Sequence, residues 1–232
     1  MGRRGSATLA AVLAALVLPI PVFAYILPPE FLARKMAAKR RAMKLTRLTV
    51  NLSCSADGQT AEKVLRLKVP GMVRLEGGGR LLVCRNNVCF ERDSAATRKA
   101  APWKKWLFRF VSERPDAQSY VRWLKHLGVD MKRNTLSRLG GRIAVVLGAK
   151  NWERDRPQFW LDKDLFLPLR LMLREGKSLV ELTWTDWGSR TGGDWFPGRI
   201  EVSIDGKLVE SCRTTSVDAR TRVPESLFDI EK

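Results

Sequence analysis

From residue 47 onward the chain repeatedly alternates apolar and polar side chains. Leu48, Val50 and Leu52 alternate with Thr49, Asn51 and Ser53. Leu65, Leu67 and Val69 alternate with Arg66 and Lys68, and Val73 and Leu75 with Arg74 and Glu76. The second half repeats the pattern at Ile143, Val145 and Leu147, at Leu169, Leu171 and Leu173, at Val180, Leu182 and Trp184, and at Ile200, Val202 and Ile204. Side chains two apart share one side of a strand, so each run predicts a strand with a single apolar face. Pro70-Gly71, Gly77 to Gly79, Glu175-Gly176, Gly192-Gly193 and Asp205-Gly206 supply turns between them. Connections this short make neighbours antiparallel. The runs predict roughly ten to eleven strands in a curved antiparallel sheet, closed or nearly closed into a barrel around its apolar face.

Two stretches follow a helical period instead. The first, Pro29 to Leu45, has helix formers throughout and proline at its start, where a missing N–H costs nothing. Its apolar stripe of Leu32, Met36 and Met43 is thin, and seven basic residues and no acid lie between Arg34 and Arg47. The second exception spans residues 95 to 139. There Ala117, Tyr120, Val121, Leu124 and Leu127 fall on one helical face behind Pro115 and Asp116, while Trp103, Trp106, Leu107 and Phe110 fall on another. Trp106, Leu107, Phe110, Tyr120 and Leu124 are therefore candidates for a lid over the sheet, or for an ordinary plug of the barrel. The fold class is α+β, mainly β.

The composition, 45% hydrophobic and 28% charged over 232 residues, is that of a folded domain. Lys and Arg number 42 against 24 Asp and Glu, a net charge of +18, which directs attention to acidic partners. Arg3 and Arg4, the apolar run Ala7 to Leu18, and Val22-Phe23-Ala24 after two prolines read as an export signal cleaved after Ala24. The expected organisation is a signal at 1–24 and one domain at 25–232, monomeric and periplasmic, with no nucleic acid to meet.

Export makes disulfides the default for Cys54, Cys84, Cys89 and Cys212. Three connectivities exist, and buried free thiols are the alternative. If Asn86-Asn87 turns a hairpin, Cys84 faces Cys89 at a non-hydrogen-bonded position, close enough to bridge, which leaves Cys54 for Cys212. Catalytic chemistry has little to work with. One histidine, His126, sits at the polar edge of its helix, Asp162 and Asp164 read as a solvated turn, and the cysteine spacings do not fit a zinc site. No catalytic residue, metal or cofactor is assigned. The basic face at 34–47 and the segment WKKWLFRF remain candidates for an anionic membrane surface or another polyanion.

The run LRLKVPGMVRLEGGGRLLVCRNNVCF resembles strands of the bacterial outer-membrane lipoprotein carriers of the LolA and LolB type. FWLDKDLFLPLRLMLREGKSLVELTWTDWG, GGDWFPGRIEVSIDGK and VPESLFD fit the same pattern in the same order, over about Pro28 to Ile230. The resemblance implies an unclosed barrel of about eleven antiparallel strands. It also implies a helical lid and an apolar cavity for the acyl chains of lipoproteins or other lipids, with an inner-membrane donor and an outer-membrane acceptor. Strand alternation then assigns the cavity lining to Leu48, Val50, Leu52, Leu65, Leu67, Val73, Leu169, Leu171, Leu182, Trp184, Ile200 and Val202. The chain departs from the family at Val69, where founding carriers have an arginine before the strand-ending proline that controls the lid. Arg74 is the candidate replacement, or else a basic residue of the lid. Two other readings stand beside the carrier: a regulatory module of the RseB type that binds a partner protein, and a basic polyanion-binding protein with no cavity.

Overall fold

A computed structural model describes residues 27–85, 87–150 and 152–229. The expected export segment and Asn86 of the hairpin turn lie outside the described residues. The other turn residue, Asn87, takes a positive φ of 66°, a conformation that Asn tolerates better than most side chains.

Among the described residues thirteen strands form one antiparallel sheet. They are β1 (Arg47–Ala56), β2 (Gln59–Lys68), β3 (Met72–Gly77), β4 (Arg80–Arg85), β5 (Val88–Arg92), β6 (Thr97–Lys99), β7 (Asn134–Leu139), β8 (Arg142–Leu147), β9 (Gln158–Asp162), β10 (Pro168–Glu175), β11 (Ser178–Thr185), β12 (Arg199–Ile204) and β13 (Lys207–Asp218). Their order is β6-β5-β4-β3-β2-β1-β13-β12-β11-β10-β9-β8-β7. Two meanders of consecutive strands are thus joined along β1 and β13, and the edges β6 and β7 do not pair, so the barrel is unclosed. The sequence reading of about eleven strands fell short because β6 and β7 lie inside the segment read as helical, and β6 has only three residues, all exposed. A short edge strand with Arg98 and Lys99 is a poor template for another chain.

Strand register explains the single core. Leu48 lies opposite Leu67, Leu67 opposite Val73, Val73 opposite Cys84, and Cys84 opposite Cys89. On the other meander Leu182 lies opposite Leu171, and Leu171 opposite Phe159. Rows of apolar side chains therefore run across the sheet on one side. All four cysteines pair, Cys54 with Cys212 across β1 and β13 and Cys84 with Cys89 across β4 and β5, with Cα separations of 4.0 and 4.1 Å.

Among the described residues three helices cover the apolar side: α1 (Pro29–Ala42), α2 (Pro102–Ser112) and α3 (Ala117–His126). Proline opens α1 and α2, and the Asp116 side chain caps α3 by accepting from the Ser119 N–H at 2.7 Å. α1 ends at Ala42, three residues before the expected Leu45, and packs against α3. At the far end of the chain a short 3-10 turn, Glu225–Phe228, lies on the opposite, outer side of the sheet, where Val223 and Phe228 pack on Val83.

Gly77 shows how closely β2 and β3 approach. Its φ is +142°, and a Cβ there would stand 2.3 Å from the Glu62 carbonyl oxygen. Gly77→Ala is expected to cost roughly 1–3 kcal/mol, read as a lower urea midpoint at unchanged slope. A variant as stable as the parent would refute the steric account.

Candidate functional site

A groove of about 460 Å³ opens at one end of the sheet, a size that suits a small ligand or part of a larger one. Its walls are the ends of β1, β2 and β13, the β3–β4 turn, β5 and the first turns of α2. Leu75, Leu82, Leu107 and Trp103 give it an apolar floor, completed by Cys54 of the long-range disulfide. The rim is ionic. Lys63 pairs with Glu210, and Glu91 accepts from both Lys104 on α2 and Arg98 on β6. Burial alone would raise the Glu91 carboxyl, but the hydrogen bonds from Lys104 and Arg98 outweigh it and hold the group below the usual carboxylate range. Arg80 and Arg92 also line the groove and make no ion pair among the described residues. Cys54, Cys212 and Glu210 come within 4.8 Å of one another, but both sulfurs are committed to the disulfide and offer no thiolate to a metal.

The twelve strand residues read as a lining are all buried, none more than 3% exposed, yet none borders the groove. They form one core with the helices. Phe110 of α2 stacks on Phe159 at 5.0 Å, meets the Trp184 ring edge-on at 5.7 Å and lies against Tyr120 of α3 at 6.2 Å. The Trp184 indole N–H donates to the Leu107 carbonyl at 3.0 Å. Trp106, Leu107, Phe110, Tyr120 and Leu124 are thus brought together over the sheet, each 5% exposed or less, and occupy the interior. Burial of Trp106, Leu107, Phe108 and Phe110 also removes four of the five apolar residues of WKKWLFRF from any membrane-facing surface.

α2 is held differently at its two ends. At its C-terminus the Ser112 carbonyl accepts from the Gly71 N–H at 2.8 Å, and the Val111 carbonyl accepts from the Arg40 guanidinium. Terminal helix carbonyls lack intrahelical donors, so both contacts satisfy groups that would otherwise be stranded. Arg40 is 4% exposed, lies beside Tyr120 and Arg114, and also donates to the Met43 sulfur at 3.2 Å. Burial lowers its pKa and pushes the Tyr120 hydroxyl up. The N-terminal half of α2, with Trp103, Lys104 and Leu107, borders the groove and is tied at its surface by the Lys104–Glu91 pair. Arg109 stacks on Trp123 at 3.9 Å and donates to the Asn87 side chain at 2.8 Å, tying α2 to the β4–β5 hairpin.

Arg74, the proposed gating charge, is on the other side of the sheet. It binds Glu76 and the Leu227 carbonyl, and the alternation that turns Val73 inward turns Arg74 outward. Arg40 was missed in the sequence although it continues the stripe of Leu32 and Met36 at four-residue spacing. Asp162 is a correction too. It forms the expected turn, accepting from the N–H groups of Asp164 and Leu165, but it is 1% exposed and paired with Arg142 rather than solvated. His126 is exposed, as expected.

No protein-family model and no curated protein sequence matches the chain. Solved structures do. A domain described as outer-membrane lipoprotein-sorting, from Vibrio parahaemolyticus, superimposes with a TM-score of 0.50 at 13% identity, over 84% of this chain and 95% of that one. A DUF1329 family protein from Desulfovibrio piger gives 0.52 at 11% identity, over 87% and 97%. The chain shares the fold of these two proteins. A LolA superfamily protein from Nitrosomonas europaea covers 88% of the chain at 9% identity, with a TM-score of 0.49. In this chain α2 is anchored by Arg40 and by the Gly71 N–H, next to Val69. No described helix is long and apolar enough to cross a membrane.

Proposed function

We propose that the protein is a periplasmic carrier that takes acyl chains of lipoproteins or other lipids and delivers them to the outer membrane, with no catalytic step. The supporting observation is the groove under the N-terminal half of α2, continuous with the apolar side of the sheet while the C-terminal end of the same helix is fixed. An acyl chain gains about 0.8 kcal/mol per buried methylene. Six methylenes therefore supply about 5 kcal/mol before ordering costs, comparable to what an aromatic such as Phe110 contributes in a core. Cargo and helix then compete for one apolar surface, and that competition keeps binding reversible. Entry breaks the Lys104–Glu91 pair and tips α2 about its anchored end, so no ligand-sensing arginine at position 69 is needed. Donor and acceptor proteins complete the cycle.

The test is mass spectrometry of organic extracts from protein purified natively from the periplasm, together with displacement of a fluorescent fatty-acid probe by those extracts. Near-stoichiometric acyl lipid or acylated peptide is expected. Protein that carries no lipid and leaves the probe unbound would overturn the carrier reading.

A further inference from the structure

We propose that the outer surface of α1 and α3, with the neighbouring loop that carries Trp152, docks onto an anionic lipid bilayer. The two helices lie side by side. Their exposed cations Arg34, Lys35, Arg41, Arg122 and Lys125 make no ion pair among the described residues, and the acids there are Glu30 and the capping Asp116. Several strand cations, by contrast, are paired. Arg66 pairs with Glu76, Arg170 with Glu181, Lys63 with Glu210 and Lys68 with Glu225. The helical face thus carries five exposed cations without an ion pair against Glu30 and Asp116, a local excess free to meet anionic headgroups.

The loop residues Lys150 and 152–157 extend that surface. Gly128, just beyond α3, lies so close to Pro157 that a Cβ on it would stand 3.3 Å from the proline ring. Trp152 on this loop is 68% exposed, with Lys150 and Arg154 exposed around it; Arg156 pairs with Glu153 at 3.8 Å, and Asp155 is exposed beside them. An exposed indole beside Lys150 and Arg154, which make no ion pair among the described residues, suits the headgroup region, where an apolar ring and a polar N–H are both accommodated. Lys35 fits the same setting. Its ammonium lies 5.3 Å from the centroid of Phe31 and 6.0 Å from that of Phe166, a stem on apolar rings with an exposed charge. An acidic protein would match the charge but gives no reason for the projecting indole.

Docking by this surface does not require the carrier reading, and it is tested without cargo. The full chain is sedimented with vesicles of phosphatidylcholine containing about one third phosphatidylglycerol, and with pure phosphatidylcholine, at low and high salt. Binding is expected to the anionic vesicles only, and to weaken with salt. Each cation near such a surface is worth a factor of about five. The triple variant Arg34→Gln, Lys35→Gln, Lys125→Gln should therefore bind about a hundredfold more weakly, and Trp152→Ala several-fold more weakly. A control triple on the sheet side, Lys207→Gln, Arg213→Gln, Arg220→Gln, removes the same net charge and should bind within about twofold of the parent. Circular dichroism melts establish that the variants fold. The proposal is overturned if the parent ignores anionic vesicles, or if the two triples weaken equally. Retention on an immobilised acidic polypeptide without vesicle binding would overturn it in favour of a protein partner.

Discussion

Removing the Cys54–Cys212 bridge with a double Cys→Ala variant is expected to destabilise the fold by about 5 kcal/mol, whereas removing Cys84–Cys89 should cost only about 2. The reason is the length of chain each bond closes. Cys54 and Cys212 are 158 residues apart, and Cys84 and Cys89 only 5. The entropy that a crosslink removes from the unfolded chain grows with the logarithm of the loop it closes. A loss of 5 kcal/mol corresponds to a fall in melting temperature of roughly 10–20 °C for a chain of this size. The long bond also fastens the seam between the two meanders, at the pairing of β1 with β13. Thermal melts of the two double variants check the prediction, and equal losses would refute the loop-length account.

Phe110→Ala should cost about 3–5 kcal/mol, because it empties a position 1% exposed among Phe159, Trp184 and Tyr120. The carrier reading adds a second expectation. If cargo and the Phe110 ring use the same apolar surface, added acyl lipid should restore more stability to the variant than to the parent, since a ligand stabilises whatever state it binds. Melting temperatures with and without a medium-chain fatty acid measure the difference. A variant that is destabilised yet indifferent to lipid would mean that the ring packs against a surface cargo never reaches.

Much of the sheet could be read from the chain because a one-sided strand leaves an unambiguous trace. Leu48, Val50 and Leu52 are buried between more exposed neighbours, and Leu169, Leu171 and Leu173 are buried as well, though Met172 between them is also covered. The apolar faces of α2 and α3 were legible for the same reason. What failed were features that no single period carries. β7 shows no clean alternation, with Leu136 40% exposed, and β6 is too short to have one. The groove is assembled from strand ends, a glycine turn and the start of a helix, elements far apart in sequence. Its floor residue Leu107 was identified as part of the lid, but nothing local marked Lys63 or Glu210. The placement of Arg74 could have been corrected beforehand, since it shares parity with Arg66 opposite and not with Val73 beside it. Arg40 was hidden by its neighbours, because a basic residue in a basic run gives no sign of being the buried one.

The strand order also dictates a schedule for maturation. Each meander joins consecutive strands and can zip up as it emerges, but β13, made last of the thirteen, belongs at the centre between β1 and β12. Contacts so distant along the chain form slowly. Until β13 arrives, β1 and β12 each present an unpaired backbone edge beside exposed apolar rows, which makes the half-built molecule prone to aggregation. Newly made chains therefore need protection until the central strand is in place, after which the Cys54–Cys212 disulfide secures it.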